Sequence, residues 1–492
     1  MEESPPTSVR GELRALLVLT APIALTNFGT MLLGLVDTAV VGRLGETALA
    51  AVGLGSAVFF TVCVAGLGWM LALDPLIAQA LGAREGGHAQ HVLIQGLWVA
   101  LLGALPVSLA IFGAGALLET AGIEAETAAQ TRAYLHARLP AVLPWMMLAA
   151  SRAFLQARTT TRPLVVGVVV ANVINLPLTW LLVFGDRALI DLGLPALGVP
   201  RMGTAGAGLA SAVATVAQLL IALFAVRARW QREGSRSHGS LRCATASRHL
   251  RTPFGPTTEQ VSGYRRFASL RSYRPDGSIV WRVLRLGTPI GLSLLAEVMS
   301  FSIVAVLMGN LGRRSLASHN VAIALASATF QMALALGAAA SVRVGHAIGR
   351  EDAEGTRRAG LVAIASGGTA MLLSSITFIA IPRPLARILT DEVGVIEAAV
   401  PLLAVAAAFQ LSDGVQAVAA GVLRGAGDTT VPLMANLAGH YAIGIPIGAA
   451  LAFGAGWGAV GLWWGLSAGL TAVAVLLTVR FWMLSRRAIR RA

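Results

Sequence analysis

Long apolar runs separated by short stretches of charge, glycine and proline fill almost the whole chain. A helix crossing about 30 Å of hydrocarbon needs about 20 apolar residues. Twelve runs meet that need: 13–41, 49–73, 92–118, 134–155, 163–184 and 204–226, then 286–309, 316–342, 360–381, 396–423, 431–453 and 459–484. None alternates with period two, which excludes a closed β-barrel. The pattern predicts an all-α polytopic membrane protein of twelve transmembrane helices, with one six-helix bundle over 1–226, a basic linker over 227–285 and a second six-helix bundle over 286–492.

The second half repeats the first. A shift of 267 residues superposes Pro22 on Pro289, Gly42 on Gly309, Gly45 on Gly312, Leu49 on Leu316 and Gly82 on Gly349. A shift of 269 then pairs Thr160, Thr161 and Pro163 with Thr429, Thr430 and Pro432, and Pro177 with Pro446. About sixteen residues near 186–201 of the first half have no counterpart. Ordered prolines at matching spacing are hard to produce by compositional bias. Six spans per repeat make the repeats parallel, related by an axis along the membrane normal, which is transporter architecture.

Composition agrees and narrows the classes. The chain of 492 residues is 56% apolar with 54 glycines besides, only 13% is charged, and the mean hydropathy is +0.72. A soluble enzyme, a disordered chain and a coiled coil are excluded for the whole. The net charge of +14 comes from arginines outside a folded basic domain, so anionic lipid and not nucleic acid is the expected partner. Cys63 lies in an apolar run and Cys243 in a polar loop, and neither suggests a disulfide or a metal site. The segment before the first run is acidic and proline-containing, so no cleaved signal peptide is expected.

Arginine also sets the orientation. With both ends in the cytoplasm, inside segments hold 29 of the 38 arginines and outside segments 9. Both termini are therefore expected in the cytoplasm. A reporter fused within 232–274 should read as cytoplasmic and one near residue 191 as external; the same reading from both would refute the span count. The linker holds 13 of these arginines with no sustained apolar period, and is expected to be mostly disordered.

Three carboxylates stand inside the spans: Asp37, Glu297 and Asp413. An ionised group at mid-helix costs about 2.5–3.5 kcal/mol to insert, so it needs a reason. Each has polar company at helical spacing. Asn27, Thr30, Gly34 and Asp37 share about 80° of arc, as Ser293, Glu297 and Ser300 share about 60°. Gln410, Asp413 and Gln416 form a third stripe, and Asn172, Asn175 and Thr179 a fourth, whose neutral oxygens suit a hard cation beside Asp37. Interhelical hydrogen bonding alone would be served by neutral side chains. A carboxylate withdrawn from water takes up a proton readily or holds a cation in its place, which is the chemistry of ion coupling. His319 and His440 are single histidines for which a satisfied structural role is expected, and Asp74 and Arg343 are expected to be interface groups at helix ends.

Four segments carry a family resemblance: PIALTNFGTMLLGLVDTAVVGRLG at 22–45, AEVMSFSIVAVLMGNLG at 296–312, VRVGHAIGRED at 342–352 and FQLSDGVQAVAAGVLRGAGDTTVP at 409–432. Together they resemble the multidrug and toxic compound extrusion (MATE) family, its NorM-type branch in particular. The resemblance implies two six-helix bundles and export of amphipathic organic cations in exchange for Na⁺ or H⁺. It assigns Asp37 to an amino-lobe cation site with Asn175, and Glu297 and Asp413 to a carboxy-lobe acidic pair able to hold Na⁺. Thr179 stands where the family often has Asn or Asp, and Ser211 where threonine is common; both departures tell against Na⁺ in the amino lobe. Drug binding is expected at Asp37, Glu297, Asp413, Gln410 and Gln416. A flippase for lipid-linked precursors is the alternative, but it would call for arginines at mid-membrane where this chain has acids. No HExxH, GxSxG or GxxxxGK[ST] motif occurs, so neither an enzyme nor an ATP-driven pump is expected, and no cofactor besides the coupling ion. A monomer is expected.

Overall fold

The computed structural model describes residues 8–190, 193, 195–246, 274–487 and 489–492, with the backbone alone over 232–246. No strand occurs among the described residues. Inside hydrocarbon every backbone N–H and C=O must be satisfied within the segment, and the helix does this locally. The spans are α1 Val9–Val41, α2 Glu46–Gly82, α3 Gly86–Ala116, α4 in two pieces (Ala125–Arg138 and Val142–Ala157), α5 Arg162–Phe184 and α6 Thr204–Ala246. They continue as α7 Gly277–Asn310, α8 Arg313–Gly349, α9 Ala353–Ala380, α10 Val393–Gly425, α11 Thr430–Gly454 and α12 Gly458–Leu484.

Eleven of these are helices long and apolar enough to cross a membrane. The remaining run, expected at 134–155, is broken by a 3₁₀ turn at Leu139–Ala141. Pro140 and Pro144 lie within one turn of each other. Each lacks an N–H and presses its ring on the carbonyl four residues back, so two in succession end a helix that a lone proline only kinks. The lone prolines Pro22, Pro106, Pro177, Pro289 and Pro401 sit inside unbroken helices.

The expected linker is helical at both described ends, since α6 runs to Ala246 and α7 begins at Gly277. No proline occurs between Arg227 and Ala246 to stop a helix already nucleated by its buried part. Asp276 starts α7: its Oδ1 accepts the Ser278 hydroxyl at 2.6 Å and the Ser278 N–H at 2.9 Å, and these bonds hold its carboxyl below the usual carboxylate range. Its own N–H donates to Gln95 Oε1 on α3 at 2.8 Å. The expectation of disorder over 247–273 lies outside the described residues. The extra residues after α5 fold back on Asp186, whose carboxylate accepts N–H groups of Val199, Leu197 and Gly198 at 2.9–3.1 Å. Those donors, Val199 first, hold the Asp186 carboxyl below its ordinary range.

The chain forms two compact units. One comprises Met1–Met31, Cys63–Ala83 and Leu284–Ala492, the other Leu32–Val62 and Arg84–Val283, so α1 and α2 are each divided between them. In the first unit, Leu16, Leu19 and Ile23 of α1 join Leu336 of α8, Val422 of α10 and Phe481 of α12 in one apolar core. Helices α8 and α10 approach backbone to backbone: a Cβ added at Gly421 would lie 2.2 Å from the Gly337 carbonyl oxygen, so only glycine fits. Arg343 on α8 grips Glu12 on α1 through two bonds of 2.8 Å, both side chains being largely buried. Asp74 lies 3.8 Å from the Arg424 guanidinium, also largely out of solvent. Asp74 and Arg343, near helix ends as expected, thus each meet an opposite charge far along the chain and are largely buried. Arg491 donates to the Gly349 carbonyl at 2.9 Å and the Ala492 N–H to Gln79 Oε1 at 2.7 Å. Glu12 and Arg491 therefore meet the same end of α8.

Candidate functional site

In the second unit, Asp37 sits on α1 with 1% of its surface exposed. Three neutral donors converge on its carboxylate. Asn175 Nδ2 and Thr179 Oγ1 on α5 reach Oδ1 at 3.4 and 3.3 Å, and the Ser211 hydroxyl on α6 donates to Oδ2. Asn175 and Thr179 are four residues apart and so face the same neighbour. Asn175 Oδ1 is buried without a hydrogen-bond partner, which leaves one more oxygen free for a cation or a proton donor. The rest of the α1 stripe does not join this site. Thr30 donates to the Thr26 carbonyl at 2.9 Å, and Asn27 to the Gln331 carbonyl at 3.5 Å in the other unit's fold. Asn172 likewise turns to its own helix, donating to the Val168 carbonyl at 2.8 Å.

In the first unit, Glu297 on α7 and Asp413 on α10 are 9% and 6% exposed. Gln416, one turn from Asp413, donates from Nε2 to Glu297 Oε2 at 3.4 Å and to Asn436 Oδ1 at 3.5 Å. Asn436 on α11 in turn donates to the Ser293 hydroxyl at 2.7 Å. Asp413 Oδ1 and Gln416 Oε1 are buried without partners. Gln410 is held by α8 and α9, its Oε1 accepting from Thr329 at 2.8 Å and Ser374 at 2.6 Å, while its Nε2 has no partner. Ser300 donates to the Glu297 backbone carbonyl at 2.8 Å and not to its carboxylate.

Buried polar atoms are rarely orphaned, so a concentration of them around two carboxylates marks a place made for something that is not protein. Two carboxylate groups and the Gln416 amide oxygen are hard oxygen donors, which suit Na⁺ or a proton and not a soft metal. Among the described residues no group of three or more His, Cys, Asp or Glu stands together.

Asn436 and Tyr441, whose hydroxyl donates to the Ala296 carbonyl at 3.0 Å, do not stand out in the sequence. The available signal was spacing: Asn436 and His440 lie four apart on one face of an apolar run. The satisfied role expected for His440 does not hold, since both of its ring nitrogens are buried without partners. The His319 Nδ1 is unpartnered as well.

The family model MatE matches residues 22–181 and 289–450. This chain belongs to the MATE family. Its two matches begin 267 residues apart, the same shift that superposes Pro22 on Pro289, so the internal repeat is one MATE unit doubled. MATE proteins are membrane transporters and not enzymes. A relative in Mesorhizobium japonicum named "Probable multidrug resistance protein NorM" is 35% identical over 479 residues, covering 96% of this chain and 94% of its own length. The "Multidrug resistance protein NorM" of Aliivibrio fischeri is 29% identical over 484 residues, covering 97% and 96%. Among solved structures, the eukaryotic MATE transporter AtDTX14 superposes with a TM-score of 0.80 at 22% identity over 98% of each chain. The Vibrio cholerae MATE transporter VcmN in its bent form superposes with a TM-score of 0.78 at 19% identity over 98% of each. These two likenesses speak for the fold.

Proposed function

We propose that this MATE protein is a multidrug exporter of the bacterial inner membrane, with cytoplasmic termini, that moves amphipathic organic cations outward in exchange for inward Na⁺ or H⁺. The repeat halves 1–226 and 286–492 serve as the two lobes of an alternating-access cycle, joined by 227–285. The observation that carries this reading is the Glu297–Asp413 centre. It is a buried pair of carboxylates with an unpartnered oxygen on Asp413, in a family of transporters whose NorM-named relatives are drug-resistance proteins. Asp37, Asn175, Thr179 and Ser211 form a second coupling site, and Gln410 and Gln416 flank the drug site at the acidic pair.

Two carboxylates near each other do not both stay ionised cheaply, so one proton or one cation belongs between them. A cationic drug and the coupling ion compete for that charge, and each weakens the other by the same factor. An inside-negative potential adds about 2.3 kcal/mol per 100 mV for each coupling charge moving in. The flippase reading gains nothing from the structure: Arg343 and Arg424, both largely buried, are each paired with an acid.

The test is ethidium counterflow and gradient-driven uptake in proteoliposomes, with pH and Na⁺ gradients imposed separately. At least one of the two gradients should drive ethidium against its concentration. Counterflow with no response to either gradient would leave a facilitator and overturn the antiport.

A further inference from the structure

Above the carboxylate layer of the first unit lies a second layer, made by the next turn of the same helices. Phe301 stands four residues beyond Glu297, Phe409 four residues before Asp413, and His440 four residues beyond Asn436. The last turn of α10 and the first of α11 are joined by a tight connection, so α10 and α11 run in opposite senses, and these steps lead the same way: away from the end where Glu12, Gly349 and Arg491 meet. Ring contacts tie the layer together. Phe301 lies 6.3 Å from His440 and 6.0 Å from Phe409, Phe409 lies 5.3 Å from Trp463 on α12, and Trp463 lies 5.8 Å from His319 on α8.

This apolar-looking layer is full of unused polar atoms. His440 is 1% exposed, and Nδ1 and Nε2 both lack partners, as do His319 Nδ1 and Trp463 Nε1. An imidazole kept for packing alone would be better replaced by an apolar ring, since every buried unpartnered polar atom is costly. His440 also lies inside the π-helical stretch Ala438–Gly444. Such interruptions of an α-helix recur at functional sites.

We propose that His440, with His319 behind it, carries the coupling proton between the far end of this unit and the Glu297–Asp413 pair. The inference rests on the antiport reading and makes the proton, not Na⁺, the ion that reaches that pair. A hydronium ion from the far side gives its proton to the free lone pair of the neutral imidazole and becomes water. The imidazolium then passes a proton through an intervening water to Asp413 Oδ1, leaving neutral imidazole and a carboxylic acid. A bridging water needs two to four polar partners, and His440 and Asp413 each supply unpartnered atoms. The titratable groups of these two layers are Glu297 on α7, Asp413 on α10, Tyr441 beside His440 on its own helix and His319 on α8, while the arginines, Glu397 and His346 of α7, α8 and α10 stand toward the helix ends. From α12, Gly465, Gly469 and Val473 pack against this stretch of α11, and none carries a charge.

The experiment reconstitutes the full chain and follows ethidium transport driven by a pH gradient, by a Na⁺ gradient, and by counterflow with neither. External pH runs from about 5 to 9, bracketing the ordinary imidazole range. His440→Gln is expected to slow pH-driven transport about a hundredfold, the lower end of what a positioned proton-transfer group contributes. Counterflow should stay at the wild-type rate. His319→Gln should move the pH profile in the same sense with a smaller loss. The wild type should also show a solvent isotope effect in D₂O that is lost in a His440→Asn variant, and this readout, with His319→Gln, decides the matter where His440→Gln does not insert. Unchanged pH-driven rate and pH profile in the histidine variants would overturn the relay and leave the antiport standing. A wild type driven by Na⁺ alone would do the same. A wild type driven by neither gradient would overturn the antiport itself.

Discussion

Asp413→Asn and Glu297→Gln, each alone, are expected to abolish gradient-driven ethidium export while the protein still reaches the membrane folded. Both changes keep side-chain volume, so the packing of α7 against α10 and α11 is undisturbed. Asp413 Oδ1 has no hydrogen-bond partner to lose, and a glutamine at 297 still offers Gln416 an acceptor oxygen. What vanishes is the charge that a proton or Na⁺ must neutralise. Without it, drug binding and ion binding are uncoupled, so substrate affinity measured across pH 5 to 9, with and without Na⁺, should become flat. Asp37→Asn should impair transport less completely, because three neutral donors already surround that carboxylate and an amide can be accommodated among them. If the Asp413→Asn, Glu297→Gln double variant keeps wild-type efflux and the wild-type response to pH and Na⁺, the coupling centre lies elsewhere.

Much of this molecule was legible before any coordinates, because a bilayer writes its demands in run length. Eleven apolar runs became single helices, and the ordered prolines located the repeat that the family match later delimited. The break in α4 was not legible in run length. The run reads as one span by its length and apolarity, which take no account of the two prolines one turn apart, Pro140 and Pro144, that end the helix there. At the sites, the three carboxylates stood out because an ionisable group in an apolar run has few innocent explanations. Asn175 and Thr179 followed from helical spacing, whereas Ser211 came only through the family resemblance. Asn436 stayed hidden, since a lone neutral amide in a membrane helix looks like ordinary packing. Thr30 and Asn27 show the opposite error: they share an arc with Asp37, but satisfy backbone carbonyls elsewhere. A shared helix face says which way residues point, not what they meet.

The pairing of Glu12 with Arg343 is not legible in the sequence, the two being 331 residues apart, and it carries the largest stability prediction. Their two parallel bonds of 2.8 Å form the bidentate geometry that makes guanidinium–carboxylate pairs strong, and the two side chains are 13% and 5% exposed. Arg343→Ala strands a buried carboxylate and should cost about 3–5 kcal/mol, with Glu12→Ala similar in size because it strands the guanidinium. Removing both charges is a different matter. A buried pair replaced by apolar groups of like volume is often neutral or stabilising, so Glu12→Leu with Arg343→Met should recover most of what either single change loses. Thermal unfolding in nanodiscs, followed by tryptophan fluorescence, reads the three variants against wild type. The expected pattern is two strongly lowered melting temperatures and one close to normal. Single variants that melt with the wild type would mean that water reaches this pair and that its contribution is that of a surface contact, of order 0–1 kcal/mol. A double variant as unstable as the two singles combined would mean that Arg343 holds α1 to α8 through its aliphatic stem, with the charge incidental.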